Sequence, residues 1–274
     1  MSQPLLRTFF YGTLGLALLI SSVSAKVAPA ITLDATGGEI AAILRQTAMP
    51  KMSQDRLGSI LTRCYNVGFG GPDNWEKVVS LRISGRLTVE AGEFEFKSYQ
   101  KKPHYLKMTI NGPRGALQAG YDGNVAWQVL ASDPAAPDPA GLEMDAAHAR
   151  RFIHSAYFGN HLLYPYALGK QIEYLDTVPV DGAICHQIRV TLKSGFQVDY
   201  FVDIRTYLES KTIMTDLRTG EVSETLSQDY FREFGIPVAR KMVRSENGVW
   251  VSTFELDKIT VNSGVMPWMF KMPK

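Results

Sequence analysis

The sequence predicts a mainly β protein built on one large, curved antiparallel sheet of about eleven strands, with helices to cover it. From Val78 to the C-terminus, short segments alternate apolar and polar residues, as strands with one buried face do. One stretch, from about Glu143 to Leu163, has helical periodicity instead. Tight-turn signals such as Asp181-Gly182 and Asn247-Gly248 separate most of the segments. Strands joined in this way form an antiparallel meander, not a parallel α/β sheet.

The first two predicted strands form a hairpin. Leu81 to Val89 alternates apolar with charged or hydroxyl residues, and Phe94 and Phe96 alternate with charged residues after a turn at Ala91-Gly92. The remaining strands are predicted at Leu106 to Ile110, Leu117 to Tyr121, Val125 to Val129, Gln171 to Thr177, Ile184 to Leu192, Phe196 to Ile204, Leu208 to Asp216, Val222 to Phe231, Val238 to Ser245 and Val249 to Val261.

Two short amphipathic helices are predicted before the sheet. The first carries Ile40, Ile43 and Leu44 and ends at Pro50. The second begins after Ser53, a candidate N-cap, and aligns an apolar stripe before it stops at glycines. The stripe consists of Leu57, Ile60, Leu61 and Cys64, and the glycines are Gly68, Gly70 and Gly71. Because these glycines follow a helix, whereas a dinucleotide loop follows a strand, they do not indicate nucleotide binding.

The N-terminus has the pattern of a secretory signal. Arg7 precedes the apolar run Phe9 to Ile20, and the small residues of Val23-Ser24-Ala25 follow. We expect cleavage after Ala25, so that residues 1–25 are the signal peptide and 26–274 form a single domain with a helical extension at about 26–67. The expected location is the periplasm or the cell exterior, with a retained membrane anchor as the alternative.

The net charge limits the class of partner, and the two cysteines raise the question of a disulfide. The formal net charge of +2 becomes +1 without Arg7, and near-neutrality argues against a nucleic-acid partner. An exporting compartment permits a disulfide between Cys64 and Cys185, but two separate buried thiols fit the sequence equally well.

The predicted sheet has more apolar surface than its helices can obviously cover. One face is rich in Arg, Lys, Glu and Thr, whereas the other is rich in Phe, Tyr, Trp, Ile and Met. Either that apolar face packs against a second sheet, or it lines an incompletely filled concavity that binds an apolar ligand. Met266 to Met272, with Trp268 and Phe270, is an apolar tail that would pack along the sheet edge or cover its mouth.

An ordered series of motifs resembles the LolA/LolB-like superfamily of outer-membrane lipoprotein-sorting and lipoprotein-carrier proteins. The motifs are Gly70-Gly71, Trp75 to Gly85 (WEKVVSLRISG), Lys101 to Met108 (KKPHYLKM), Tyr121 to Trp127 (YDGNVAW), Val180 to Gly182 (VDG), Val190 to Gly195 (VTLKSG), Asp203 to Leu208 (DIRTYL) and Phe270 to Pro273 (FKMP). The resemblance implies an incompletely closed antiparallel β-barrel with helices in its mouth. It also implies transport without a cofactor, in which acyl chains of lipids or lipoproteins are held in a hydrophobic cavity.

The same resemblance suggests site residues and partners. The apolar face of the predicted strands supplies the residues for such a cavity. Either these residues line the cavity, as we expect, or they fill a core: Leu81, Ile83, Leu87, Phe94, Phe96, Leu106, Met108, Trp127, Ile188, Val190, Tyr200 and Val202. Lys102 stands where the carriers have an arginine that ties the barrel to its helical lid, and lysine lacks the planar fork that makes bidentate bonds. A carrier would also meet membrane-associated donor and acceptor proteins. The alternative function is a periplasmic sensor or scaffold that recognises a lipid or protein and signals by contact.

Residues suited to catalysis or metal binding do not form a convincing site. His154 and His161 are two helical turns apart, too far to share an ion without a third element, and Asp145 precedes His148 on the same stretch. Cys185 and His186 are adjacent on a strand and therefore point to opposite faces. Paired carboxylates such as Glu93 and Glu95 lie among lysines on a polar face. We therefore expect no enzymatic activity and no metal.

Overall fold

The computed structural model describes residues 52–112, 115–131, 140–163 and 170–274. The predicted signal peptide and the helix predicted before Pro50 lie outside these residues. The helices are α1 (Arg56–Arg63), a π-helical turn (Cys64–Gly68), α2 (Pro72–Lys77), α3 (Ala146–Ser155) and a 3-10 helix (Pro267–Phe270). The strands are β1 (Ser80–Val89), β2 (Gly92–Lys101), β3 (Tyr105–Gly112), β4 (Gly115–Tyr121), β5 (Ala126–Ala131), β6 (Leu142–Glu143), β7 (Lys170–Val180), β8 (Ala183–Leu192), β9 (Phe196–Asp203), β10 (Glu209–Asp216), β11 (Val222–Glu233), β12 (Ile236–Glu246) and β13 (Val249–Val261).

Within the described residues, the strands form one antiparallel sheet of 13 strands in the order β6-β5-β4-β3-β2-β1-β13-β12-β11-β10-β9-β8-β7. The sheet is not closed, because β6 and β7 are its two edges. This confirms the predicted mainly β fold with an open, antiparallel sheet. The strand that sequence reasoning missed is β6, whose two residues are too few to show alternation.

The chain divides into two compact units. In the described residues, unit 1 comprises Val78–Phe158 and Val251–Lys274, and unit 2 comprises 52–77 and Gly159–Trp250. In unit 1 the first strand pairs with the last, so that Leu81 lies opposite Val261 and Leu87 lies opposite Phe254. The register shifts at Ser84/Gly85. A Cβ on Gly85 would lie 2.7 Å from the ring of Phe254, so glycine is needed where this ring crosses β1.

The helix predicted from Glu143 to Leu163 is shorter than expected. Asp145 is its N-cap, since its carboxylate accepts hydrogen bonds from the backbone N–H groups of Ala147 and His148, and α3 ends at Ser155. The chain then turns, and Gly159 adopts a φ of +93°, which no helix interior tolerates. The helical periodicity therefore predicted the element correctly but not its C-terminal end.

The core of unit 2 is one cluster of buried residues beneath α1. Its members are Ile60, Leu61, Cys64, Leu162, Ile188, Val190, Leu192, Phe196, Val198, Tyr200 and Val202. The apolar stripe predicted for the second helix therefore faces β8 and β9. A helix of eight residues is not stable in isolation, so α1 owes its position to this packing.

Candidate functional site

The predicted lining residues of unit 1 share one face of its sheet. The register pairs Leu87 with Phe94, and pairs the glycine at position 85 with Phe96. On the next strand, Phe96 lies opposite Ile110 and Ser98 lies opposite Met108. Residues directly opposite each other in an antiparallel ladder point to the same side. The residues brought together in this way are Leu81, Ile83, Leu87, Phe94, Phe96, Leu106 and Met108, all buried except the half-buried Phe94.

Trp127 is the exception and lies on the opposite face. It pairs with Gly120, which in turn pairs with Lys107, whose side chain points away from Met108. A Cβ on Gly120 would lie 2.3 Å from the indole, and the indole N–H donates a 2.8 Å hydrogen bond to the carbonyl of Phe270. Alternation shows which residues of a strand share a side but not which side it is. Trp127 therefore leaves the lining set.

The remaining predicted lining residues form the apolar face of unit 2. Ile188 pairs with Tyr200, and Val190 pairs with Val198 two residues along the strands. Together with Val202, these side chains pack against α1 in the core cluster. The backbone N–H of His161 donates a 3.0 Å hydrogen bond to the Tyr200 hydroxyl. In this structure, α1 covers this apolar face of unit 2.

Two arginines hold the exposed sides of α1 to strand β7 and to the turn between β9 and β10. The Arg56 guanidinium lies 4.4 Å from the ring centroid of Tyr174 and donates a 3.2 Å hydrogen bond to the Thr177 hydroxyl. The Arg63 guanidinium lies 5.7 Å from the ring centroid of Tyr207. Contacts of this kind at exposed sites contribute about 0.5–1 kcal/mol each. Sequence reasoning missed these two contacts. The only signal in the sequence was that the two arginines, seven residues apart, flank the apolar stripe.

Two hydroxyl groups interrupt the apolar face of unit 1. Ser98 lies opposite Met108, and Tyr121 lies opposite Leu106, so both point to the lining side. Both residues are almost fully buried, and neither hydroxyl has a hydrogen-bond partner among the residues described. Burial, with smaller contributions from Asp122 and Tyr105, raises the pKa of Tyr121 to about 12, so it remains a neutral donor near pH 7. An apolar surface with a few placed polar groups is the usual composition of a ligand site.

Comparison with solved structures places this architecture among known folds. A LolA superfamily protein from Nitrosomonas europaea superposes with a TM-score of 0.53 at 10% identity, covering 81% of this chain and 98% of that one. The chain has a LolA-like fold. A DUF1329 family protein from Desulfovibrio piger superposes with a TM-score of 0.55 at 10% identity, covering 80% of this chain and 98% of that one. The sequence matches no protein-family model and no curated protein.

In this LolA-like fold, the residue predicted as a latch contacts the segment after α3. The Lys102 ammonium lies 5.8 Å from the ring centroid of Phe158, and the Lys102 backbone N–H donates a 2.9 Å hydrogen bond to the carbonyl of Val79. A single ammonium over an aromatic ring is weaker than the bidentate bonds of an arginine. The role of Lys102 as a latch remains a prediction.

The residues considered for catalysis in this LolA-like fold have structural roles. Asp145 caps α3 and contacts the His148 ring. Glu95 accepts from Lys97 at 2.6 Å and from the Asn111 amide at 2.9 Å, on the exposed polar face. Cys185 pairs with Asp203 and His186 with Val202, so their side chains point to opposite faces. Among the residues that the structure describes, no three His, Cys, Asp or Glu side chains are placed to hold a metal ion.

The two cysteines are free thiols in the interior of unit 2. Burial raises the pKa of Cys64 to about 12. Burial also raises the pKa of Cys185, with the Asp203 carboxylate acting in the same direction. Because the thiolate is the reactive form, both side chains are inert near neutral pH. Of the two alternatives left open by the sequence, separate buried thiols is the one found.

No helix in the described ranges has both the length and the apolar content needed to cross a lipid bilayer.

The Lys170 side chain contacts the turn that follows α3. Its ammonium donates hydrogen bonds to the carbonyls of His161 at 3.1 Å and Leu163 at 2.8 Å. Burial lowers the pKa of Lys170 to about 7. Between pH 7 and about 10, the unfolded chain therefore holds a proton at this lysine that the folded chain has lost.

We expect the free energy of unfolding to rise with pH in this range, because the unfolded state binds more protons there. The slope from this one group is at most about 1.4 kcal/mol per pH unit. Urea unfolding at pH 7 to 9 measures it, since cysteine ionisation in the unfolded chain reverses the trend above pH 9. Lys170→Met should remove the slope, whereas the exposed Lys193→Met should keep it. An unchanged slope in Lys170→Met would contradict the prediction.

Proposed function

We propose that this protein is an exported carrier that holds the acyl chains of a lipid or lipoprotein against the apolar face of unit 1. The observation that carries the proposal is the composition of that face. It combines large apolar side chains with the hydroxyls of Ser98 and Tyr121, which have no hydrogen-bond partner in the described part of the chain. The LolA-like fold and the signal-like residues 1–25 support it. The signal-like N-terminus and the resemblance to lipoprotein carriers together imply the periplasm, which is the location we propose.

Hydrophobic burial supplies enough free energy for such binding. Each methylene removed from water contributes about 0.8 kcal/mol, so a chain of a dozen carbons is held without a covalent bond or a cofactor. The lining that we propose comprises Leu81, Ile83, Leu87, Phe94, Phe96, Leu106 and Met108, with Lys102 beside the segment that follows α3. All but the half-buried Phe94 are buried in the lipid-free structure, so cargo reaches them only if the protein opens at this face. The hydroxyls of Ser98 and Tyr121 would then donate to ester or amide oxygens of the cargo.

Unit 2 offers a second apolar face that α1 covers. Ile188, Val190, Tyr200 and Val202 become available only if α1 moves away. The contacts of Arg56 with Tyr174 and of Arg63 with Tyr207 oppose that movement. We infer that α1 acts as a lid on this second face, and that its return to the sheet of unit 2 replaces an acyl chain held there with the helix's own side chains.

Native mass spectrometry of the protein recovered from a periplasmic extract tests the proposal. We expect co-purified acyl species, or uptake of added phospholipid, on a chain that begins at Lys26. Phe94→Ser should reduce uptake because Phe94 belongs to the proposed lining, whereas Val249→Ser, on an exposed hairpin, should not. A clean mass with no uptake of added lipid would refute the carrier function. Tight binding without transfer to acceptor vesicles would favour a sensor instead.

The two buried hydroxyls give a sharper test of the same site. A buried hydroxyl without a partner costs about 1–3 kcal/mol. We therefore expect Ser98→Ala and Tyr121→Phe each to raise the free energy of unfolding of the lipid-free protein by about 1 kcal/mol. The same substitutions should weaken binding of a phospholipid about fivefold, because each removes one hydrogen bond to the cargo.

Ser227 provides the matched control, since it is also buried but hydrogen-bonds the Tyr230 side chain. Ser227→Ala should lower the free energy of unfolding and leave lipid binding unchanged. If Ser98→Ala and Tyr121→Phe instead destabilise the protein without weakening lipid binding, the hydroxyls have a structural role and do not contact cargo.

A further inference from the structure

The C-terminal segment of unit 1 displays large apolar side chains to solvent. Met266 is 50% exposed and Trp268 is 68% exposed, on the two sides of the exposed Pro267. A tryptophan that serves only the core does not leave most of its surface in water. Exposed apolar side chains that lie together mark sites of interaction with a partner or a membrane.

This display is held rigidly. Phe270 is 0% exposed, and its ring centroid lies 5.3 Å from that of Tyr105 on β3. The indole of Trp127 donates to the Phe270 carbonyl at 2.8 Å, and Val265 is buried on the other side of the 3-10 helix. The anchors on both sides fix the short helix between them, so the exposure of Trp268 is a property of the fold.

The same segment is positively charged. Between Lys258 and Lys274 the sequence contains three lysines and no aspartate or glutamate. Lys271 and Lys274 are exposed, and Lys271 is three residues from Trp268. Indole rings prefer the boundary between lipid headgroups and acyl chains, and lysines next to them pair with anionic headgroups.

We propose that the segment Met266–Lys274 docks on the surface of an anionic phospholipid membrane. Trp268 and Met266 enter the headgroup region, and Lys271 and Lys274 contact lipid phosphates. The charge complementarity selects an anionic membrane as the partner. Docking would be peripheral and reversible, because two side chains and two charges bind far less strongly than a spanning helix. The inference concerns a surface of unit 1 and does not depend on the proposed cargo.

Co-sedimentation with vesicles tests the docking surface. Soluble protein from expression of the full chain is mixed with phosphatidylcholine vesicles that contain or lack phosphatidylglycerol, at about 0.1 M salt. We expect binding to the anionic vesicles, and about tenfold weaker binding for Trp268→Ala. Trp250, which is 43% exposed on a hairpin of unit 2, is the matched control, and Trp250→Ala should bind as the unchanged protein does.

Substitutions of the two lysines show how much of the membrane binding is electrostatic and how much is apolar. Lys271→Gln and Lys274→Gln should each weaken binding to anionic vesicles about fivefold and leave binding to pure phosphatidylcholine unchanged. Equal binding by Trp268→Ala and the unchanged protein would overturn the proposal, as would equal losses for Trp268→Ala and Trp250→Ala. Membrane docking without co-purified lipid would refute the cargo proposal alone, and bound lipid without docking would refute this one alone.

Discussion

Replacing Leu61 with alanine is expected to lower the free energy of unfolding by about 2–5 kcal/mol. Leu61 is 0% exposed and lies in the cluster where α1 meets β8 and β9. Removing its side chain eliminates the buried contacts and leaves a cavity that a packed sheet fills only partly. Because α1 has only eight residues, it has few other contacts with which to retain its position.

Urea unfolding followed by circular dichroism measures this loss. Ser59→Ala is the control, because Ser59 lies on the exposed side of the same helix and its replacement should change stability by no more than about 0.5 kcal/mol. If α1 is a lid, Leu61→Ala should also increase binding of an apolar dye, since the face of unit 2 is uncovered more often. Equal stability of the two variants would show that α1 does not contribute to the core.

Replacing Phe270 with alanine should lower the free energy of unfolding by about 3–5 kcal/mol. Its ring packs on Tyr105, and its carbonyl accepts the Trp127 hydrogen bond, so its removal loosens the cover over the indole. Trp268→Ala, two residues away, should be close to neutral because most of that side chain is in water.

Thermal melting of the two variants measures the contrast. We expect the melting temperature of Phe270→Ala to lie far below that of Trp268→Ala, and that of Trp268→Ala to lie close to that of the unchanged protein. A Trp268→Ala variant as unstable as Phe270→Ala would mean that Trp268 supports the fold, and its loss of membrane binding would then have no specific meaning.

Alternation along the chain was sufficient to predict the strands and the apolar stripe of α1. Both depend on local period, which the sequence displays directly. The face on which Trp127 lies was not predictable, because it depends on the register of β5 against β4 and on a tail that returns from residue 270. The partners of Arg56 and Arg63 were missed for the same reason. Tyr174 and Tyr207 are more than a hundred residues away in sequence.

For the candidate site, alternation predicted which residues share a face of the sheet, and their role as a lining stays a prediction. Seven lining residues of unit 1 share a face because two neighbouring hairpins keep a regular register. The four of unit 2 also share a face, but a helix covers them, and alternation carries no information about what covers a strand. The Ser98 and Tyr121 hydroxyls were overlooked because polar residues in apolar positions acquire meaning only when their hydrogen-bond partners are known.

The pairing of β1 with β13 dictates when the protein can finish folding. Leu81 on β1 pairs with Val261 on β13, which the ribosome adds about 180 residues later. One edge of β1 is therefore unpaired throughout most of synthesis. Contacts this distant in sequence form slowly, and an unpaired apolar strand edge is a site of aggregation. We therefore expect the nascent chain to be prone to aggregation until its last strand is made, and truncations before Val249 to yield insoluble product.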